Sequence, residues 1–252
     1  MKNARFQKPG FALFLFFLPI ALNAQRSVEI GLATFYTKGM NLTRHYQENP
    51  ENDIASTGSW GFNGALAYVK SRTPKLSWVA GLDFGLYAFR LDLFVSDEFN
   101  YLGWGGYSDF YKEYRISYFG LSGGIRYTLG EDDNNRLYAQ ADVLVNYHLR
   151  SHGSLSAYAI PDNGRVKQLF DAEMINNDDN KIIVAPRLGL HYQRRFKNGR
   201  SGLNLGFSAV YSGQEPFHGS YQILGDAEVL EGSLAKPFNY LGFDIGGVFY
   251  LK

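Results

Sequence analysis

Apolar residues at every second position of Leu137–Arg150 limit the fold of this chain more than any other feature. In LYAQADVLVNYHLR they alternate with residues that include Asp142 and His148. A strand has this period of two, because helical side chains recur every 3.6 residues. The stretch is about fourteen residues long, more than most soluble strands and enough to cross a membrane at a tilt. It therefore predicts a membrane-spanning strand with one side facing lipid.

The first 24 residues are predicted to be a secretory signal peptide. A basic n-region, an apolar h-region at Phe11–Leu22 and a cleavage site at Leu22-Asn23-Ala24 follow one another. A membrane anchor is the alternative, but an apolar run of about twelve residues that contains Pro19 is shorter than the ~20 residues that a helical span needs. We expect residues 1–24 to be removed and residues 25–252 to form one barrel domain.

Composition agrees with a β structure that has one apolar and one polar face. The chain has 28 glycines, 20 Phe and 18 Tyr, and its mean hydropathy is −0.24. It has no cysteine, which excludes a lipoprotein anchor, a disulfide framework and thiolate metal sites. Removal of residues 1–24 changes the net charge from +1 to −2, so no nucleic-acid-binding surface is indicated.

The same alternation recurs along the chain and predicts eight strands. They are Val28–Thr37, Ser59–Lys70, Lys75–Leu91, Tyr114–Leu129, Leu137–Arg150, Ile182–Phe196, Ser201–Ser212 and Phe238–Leu251. Short turns join three pairs of them, at Ser71–Pro74, Gly130–Arg136 and Asn198-Gly199. Four long polar stretches make the other connections, and we expect them to be loops: Lys38 to about Thr57, Asp92–Lys112, Ser151–Asn180 and about Gly213 to Pro237. Long and short connections thus alternate strictly.

An even number of strands with short turns at one end and long loops at the other is typical of outer-membrane barrels whose termini are periplasmic. In this pattern the chain resembles the small eight-stranded outer-membrane β-barrel proteins, a porin-like superfamily that includes the OmpA transmembrane, OmpX and OmpW types. The resemblance implies an all-β, antiparallel, up-and-down transmembrane barrel in a Gram-negative outer membrane. Physical chemistry favours the same architecture, since unpaired backbone groups cost several kcal/mol in a bilayer and the sheet must close on itself.

The resemblance also implies partners. Family members end in a strand with alternating aromatic residues and a terminal Phe, which the barrel-insertion machinery reads. Here Phe243, Ile245, Phe249 and Leu251 alternate, and Lys252 replaces the terminal aromatic residue. We expect this machinery, outer-membrane lipid and lipopolysaccharide as partners, with a monomeric barrel and neither nucleic acid nor a cofactor.

The face opposite the apolar one predicts a barrel interior with nearly matched charges. Eight titratable residues lie on that face: Glu29, Asp83, Arg126, Asp142, His148, Arg187, His191 and Asp244. The main interpretation is a network of ion pairs that offsets the burial of each charge, because side chains largely fill an eight-stranded barrel. The functional alternative is a narrow channel whose lining side chains carry protons or contact a solute.

Aromatic residues of the second predicted loop form a possible contact surface for a protein partner, with packing against the other loops as the alternative. They are Trp104, Tyr107, Phe110 and Tyr111. Other aromatic residues fit interfacial girdles at headgroup depth: Trp60, Trp78, Tyr127, Tyr147, Tyr192 and Phe249. Acidic residues of the third predicted loop do not match an EF-hand and are expected to be solvated.

These observations predict a structural or interactive role for a rigid membrane platform that presents long extracellular loops and has no wide pore. One alternative is a narrow channel or transporter for small or hydrophobic solutes. A lipid-modifying enzyme is a second alternative, but no motif joins His148, Ser151 and His152, so we predict no catalytic residue and no metal site.

A soluble lipocalin-like barrel is the main rival fold, and it predicts the opposite facing, with apolar residues inside.

Overall fold

A computed structural model describes residues 25–47, 52–95, 100–105, 109–149, 152–160, 164–175, 181–225 and 229–251. The predicted signal peptide, residues 1–24, lies outside the described residues. The described strands are β1 (Arg26–Thr37), β2 (Asn41–Arg44), β3 (Asp53–Gly58), β4 (Trp60–Ser71), β5 (Leu76–Phe94), β6 (Asn100–Trp104), β7 (Tyr111–Glu131), β8 (Asn135–His148), β9 (His152–Ile160), β10 (Lys167–Ile175), β11 (Ile182–Arg195), β12 (Ser201–Val210), β13 (Phe217–Leu224), β14 (Val229–Lys236) and β15 (Tyr240–Leu251). Within the described ranges, no helix is long and apolar enough to span a membrane.

Eight of these strands form a closed antiparallel barrel. Around the ring, the neighbours are β1, β4, β5, β7, β8, β11, β12 and β15, and β15 pairs back with β1. The closing ladder runs from Arg26 opposite Leu251 to Thr37 opposite Tyr240. The structure therefore confirms the eight-stranded up-and-down barrel that the sequence predicts.

The outer surface of this barrel is apolar and its interior is polar. In β8, Val143 and Val145 are exposed whereas Asp142 and Asn146 are buried. This facing is what a membrane-spanning wall requires, because lipid contacts the outside. A soluble lipocalin-like barrel requires the opposite facing and does not fit this part of the chain.

Exposed aromatic side chains lie near both ends of the apolar wall. All six predicted girdle residues point outward: Trp60, Trp78, Tyr127, Tyr147, Tyr192 and Phe249. On β11 the exposed apolar residues run from Ile182 to Tyr192, which is ~33 Å along the strand at ~3.3 Å per residue. In a strand tilted by ~45° from the membrane normal, this length spans the ~25 Å height of the apolar band of an outer-membrane barrel.

The four long connections are not simply loops, contrary to the sequence prediction. Each contributes to a second antiparallel sheet with the strand order β2-β14-β13-β10-β9-β6. The prediction was wrong because it weighed the polar content of these stretches and overlooked their period of two. In β10, for example, Ala172 and Met174 are buried while Asp171 and Glu173 are exposed.

This second sheet packs over the loop end of the barrel. We call it the cap, together with β3, residues 87–94 of β5 and residues 111–118 of β7. An apolar core fills the cap and includes Ile54, Phe89, Leu91, Trp104, Ile116, Leu155, Phe170, Met174, Tyr221, Ile223 and Leu234. The cap therefore has the apolar interior of a water-soluble β structure.

Polarity inverts along β5 where the barrel wall becomes part of the cap. Up to Gly85 the inward residues other than Val79 are polar or small, and from Tyr87 onward, through Phe89 and Leu91, they are large and apolar. Outward residues change in the opposite sense, from Leu86 to Arg90. The side-chain alternation itself is unbroken, so the two faces of one continuous strand exchange their polarity.

The same inversion occurs on β7 at the same level of the barrel. Its outward residues are Arg115 and Ser117 in the cap, and Phe119 and Leu121 in the wall. Ser117 lies opposite Leu86 in the β5–β7 ladder. We infer that this level marks the limit of the hydrocarbon on the cap side, since an outward side chain contacts lipid below it and water above it.

Matched arginine substitutions on β7 test this boundary. Leu121→Arg introduces a charge on the lipid side and is expected to lower the free energy of unfolding by about 2–4 kcal/mol in lipid vesicles. Ser117→Arg, four residues away on the same face, is expected to change it by less than about 1 kcal/mol. Urea titrations of vesicle-refolded protein measure both values, and equal costs at the two positions would contradict the boundary.

Candidate functional site

The barrel lumen contains two layers of buried charge. We call the first the lower lumen layer; it lies nearer the short turns and centres on Arg126. The guanidinium of Arg126 donates to both carboxylate oxygens of Glu29, with N–O distances of 2.7 and 2.9 Å. It also donates to Gln140 Oε1 and lies 3.9 Å from the ring centroid of Tyr138. This bidentate pair satisfies both charges of the lower layer.

The second layer, which we call the upper lumen layer, centres on Arg187. Arg187 donates to both oxygens of Asp142, each at 2.9 Å, and to Asp83 Oδ1 at 2.9 Å. Asn63 also donates to Asp83 Oδ1, at 3.2 Å. Gln140 connects the two layers, because its amide nitrogen donates to Asp142 Oδ2 at 2.5 Å. A continuous chain of hydrogen bonds therefore crosses the lumen.

The strand pairing brings these charges together. Glu29 and Arg126 are 97 residues apart in sequence, and Asp83 and Arg187 are 104 apart. Each side chain occupies an inward position of its strand, so closure of the ring directs all of them toward one axis. A narrow, poorly hydrated interior makes each unpaired charge costly, and mutual pairing reduces that cost.

An aromatic plug lies above the upper lumen layer, at the mouth of the barrel. It consists of Phe35, Tyr87, Tyr118, His148, Phe238 and Tyr240. Phe238 is its centre, with ring centroids 5.2 Å from Tyr87, 5.3 Å from Tyr118 and 5.7 Å from Tyr240. The plug is continuous with the cap core, so apolar packing closes the end of the lumen that faces the cap.

The structure separates the eight titratable residues assigned to the lumen network into three groups. Five are joined by direct hydrogen bonds or through Gln140: Glu29, Asp83, Arg126, Asp142 and Arg187. Two others line a cavity beside these charges: His191, whose ring stacks on Tyr138 with centroids 5.1 Å apart, and Asp244, which faces Ser208. His148 lies apart, in the aromatic plug, where its Nδ1 is 3.2 Å from the Tyr87 hydroxyl.

The proposed contact surface of the second loop is not a single surface. Trp104 is 1 % exposed and packs edge-on against Phe170 in the cap core, so it follows the alternative, packing against another connection, and is not part of an exposed contact surface. Phe110 and Tyr111 are exposed, and Tyr107 lies outside the described residues. Isolated aromatic residues in a loop do not show a period, and for that reason the sequence did not reveal that Trp104 points inward.

Sequence reasoning also missed the plug and a buried lysine above it. Tyr87 and Tyr118 occupy inward positions of their strands. The alternation of inward and outward positions in the sequence could therefore have shown that these two rings point into the barrel. Lys236 in the cap is fully buried, and its ammonium donates to the carbonyl oxygen of Lys38 and faces the rings of Tyr87 and Phe89. Burial lowers the pKa of Lys236 to about 7, because an apolar environment disfavours its charged form.

Comparison with solved structures supports the fold. No family model and no curated protein matches the chain. Among solved structures, it is similar to the outer membrane protein OprG from Pseudomonas aeruginosa, with 10 % identity over 90 % of this chain and 96 % of that chain and a TM-score of 0.50. A major outer membrane protein from Thermus thermophilus matches with 15 % identity over 91 % and 100 % of the two chains and a TM-score of 0.44.

The likeness to OprG shows that the chain has the fold of the small outer-membrane β-barrels. At 10 % identity it does not carry a function from one protein to the other. The lumen, the plug and the cap of this chain are therefore the features that bear on its function.

A double-mutant cycle tests the lower lumen layer. Arg126→Met leaves Glu29 buried without its partner and is expected to lower the free energy of unfolding by about 3–5 kcal/mol. The pair Glu29→Gln and Arg126→Met is expected to cost less than the sum of the two single changes, because it leaves no unpaired charge.

The exposed pair of Arg115 and Glu113 is the control for this cycle. Arg115 is 70 % exposed in that pair, so Arg115→Met is expected to cost less than about 1 kcal/mol. Urea titration of refolded protein measures each value. An Arg126→Met cost no larger than that of Arg115→Met would contradict the paired-charge description of the lumen.

Proposed function

We propose that this protein is an outer-membrane barrel that serves as an anchor and presents the cap to the cell exterior as an interaction platform, without forming an open pore. The observation that carries the proposal is the cap itself. All four long connections contribute strands to one sheet, which has a filled apolar core and a polar outer face. An ordered surface of this kind reduces the entropy lost when a partner binds.

The outer face of the cap supports an interaction role because it is broad and regular. Side chains in register across the sheet form two polar rows on this face. One row contains Ser154, Glu173, Ser220, Ser233 and Thr43, and the other contains Ser156, Asp171, Gln222 and Glu231. Hydroxyl, amide and carboxylate groups thus share the face, which suits hydrogen bonding to a polar partner.

Two barriers in series support the absence of an open pore. The paired charges of Arg126 and Arg187 cross the lumen, and the aromatic plug around Phe238 fills its mouth. Beside the paired charges lies a cavity of about 80 Å³, which holds only a few water-sized molecules. A solute would have to displace both the ion pairs and the plug in order to cross.

The orientation follows from the two ends of the barrel. The short turns and both described termini, Gln25 and Leu251, lie at the end opposite the cap. In bacterial outer-membrane barrels this end faces the periplasm. We therefore propose that the cap is extracellular and that the termini are periplasmic.

Planar-bilayer recording tests the closed lumen. We expect refolded wild-type protein to give no steady conductance above the lipid background. Phe238→Ala is expected to give none either, because the charge layers remain when the plug is loosened. Steady, reproducible single-channel currents from the wild type would contradict the proposal and support the narrow-channel alternative.

Variants of the cap and of the lumen separate the platform from the channel in cells. The triple change Asp171→Lys, Gln222→Lys and Glu231→Lys alters only the outer face of the cap, and we expect it to abolish whatever trait is lost on deletion of the gene. Ser122→Val, which narrows the lumen cavity, is the matched control and should preserve that trait. The reverse result, with loss only in Ser122→Val, would favour transport.

A further inference from the structure

The upper lumen layer carries more negative charge than its own cation balances. Asp83, Asp142 and Asp244 contribute three carboxylates, and Arg187 contributes one guanidinium that pairs with two of them. The lower layer offers no spare positive charge, because Arg126 is paired with Glu29. An excess of two negative charges in a narrow lumen is unfavourable unless something positive accompanies them.

Three oxygen atoms in this layer accept no hydrogen bond from any described residue. They are Asp83 Oδ2, Asp244 Oδ2 and Asn63 Oδ1. Asp83 and Asn63 are 3 % and 6 % exposed, so bulk water does not solvate them. Asn63 donates its amide nitrogen to Asp83, which fixes the orientation of the amide and leaves its oxygen as an acceptor.

A cavity adjoins two of these residues, Asn63 and Asp244. It measures about 80 Å³, and its polar lining also includes Ser122, Ser208 and the paired Arg126 and Arg187, beside apolar residues such as Val79. This volume is large enough for a cation with a few water molecules. The layer thus combines excess negative charge, acceptor oxygens without donors, and space.

We propose that the upper lumen layer binds a partly hydrated metal cation of the hard, oxygen-seeking class, with Asp244 and Asn63 as ligands and Asp83 as a neighbouring charge. Carboxylate, amide and hydroxyl oxygens are the donors that such cations prefer. Among the described residues, no three His, Cys, Asp or Glu side chains are arranged to hold a metal ion. Water therefore completes the coordination, which fits Na⁺ or Ca²⁺ and does not fit a tightly held transition metal.

Asp244→Asn is the variant that tests this site. It preserves the size of the side chain and removes one of the two excess charges. Refolded full-length protein in zwitterionic detergent is titrated with urea at constant ionic strength, with N-methylglucamine replaced stepwise by Na⁺ or by Ca²⁺. Since a ligand that binds only the folded state stabilises it, the urea midpoint of the wild type should rise with one of these cations and then level off.

The urea midpoints of two variants, and the change of the wild-type midpoint with pH, distinguish cation binding from neutralisation by protons. In Asp244→Asn the midpoint should not respond to the cation, and without cation it should exceed that of the wild type. Asp171→Asn on the outer face of the cap is the control and should respond like the wild type. A wild-type midpoint that neither cation changes, and that rises on acidification, would show that protons neutralise the layer and would overturn the proposal. A cation response that persists in Asp244→Asn would overturn it as well.

Discussion

Backbone hydrogen bonding in hydrocarbon is the constraint on which the rest of this structure depends. A strand edge exposed to lipid would leave peptide groups without partners, at several kcal/mol each. Ring closure between β1 and β15 removes that edge. Once the ring is closed, the period of two assigns each side chain to the lumen or to the outside, and the surrounding medium decides which residue types are tolerated there.

The medium changes along the molecule, and the sequence of each long strand changes with it. Below the level of Leu86 and Phe119 the outside is apolar and the lumen is polar, whereas above that level the cap core is apolar. Because the lumen is polar and narrow, its charges must be paired, as Glu29 and Arg126 are. The apolar cap core contains few charges, and Lys236 is the one fully buried charge among the described residues of the cap. The closed mouth follows from this arrangement, because the apolar core of the cap ends directly on the aromatic plug.

Much of the barrel could be predicted from sequence because period and facing are local properties. The eight strands and their lipid-facing residues needed only the alternation pattern. The pairing of Arg126 with Glu29, and the separation of His148 from the other charges, depend on register across distant strands, which no local pattern encodes. The cap strands were missed because each is short and flanked by turn residues, and its polar outer positions were mistaken for loop composition. Trp104 lies in a strand of only five residues, too short to show which way it faces.

The most direct test of this account is a depth measurement along β5. The chain has no cysteine, so single cysteines at Trp78, Leu82, Leu86, Arg90 and Asp92 each give one site for a fluorescent label. In vesicles that contain brominated lipid, we expect strong quenching from position 78 to position 86 and little quenching from position 90 onward. Quenching that continues to position 92, or that is absent at position 82, would contradict the claim that the inversion of polarity marks the edge of the membrane.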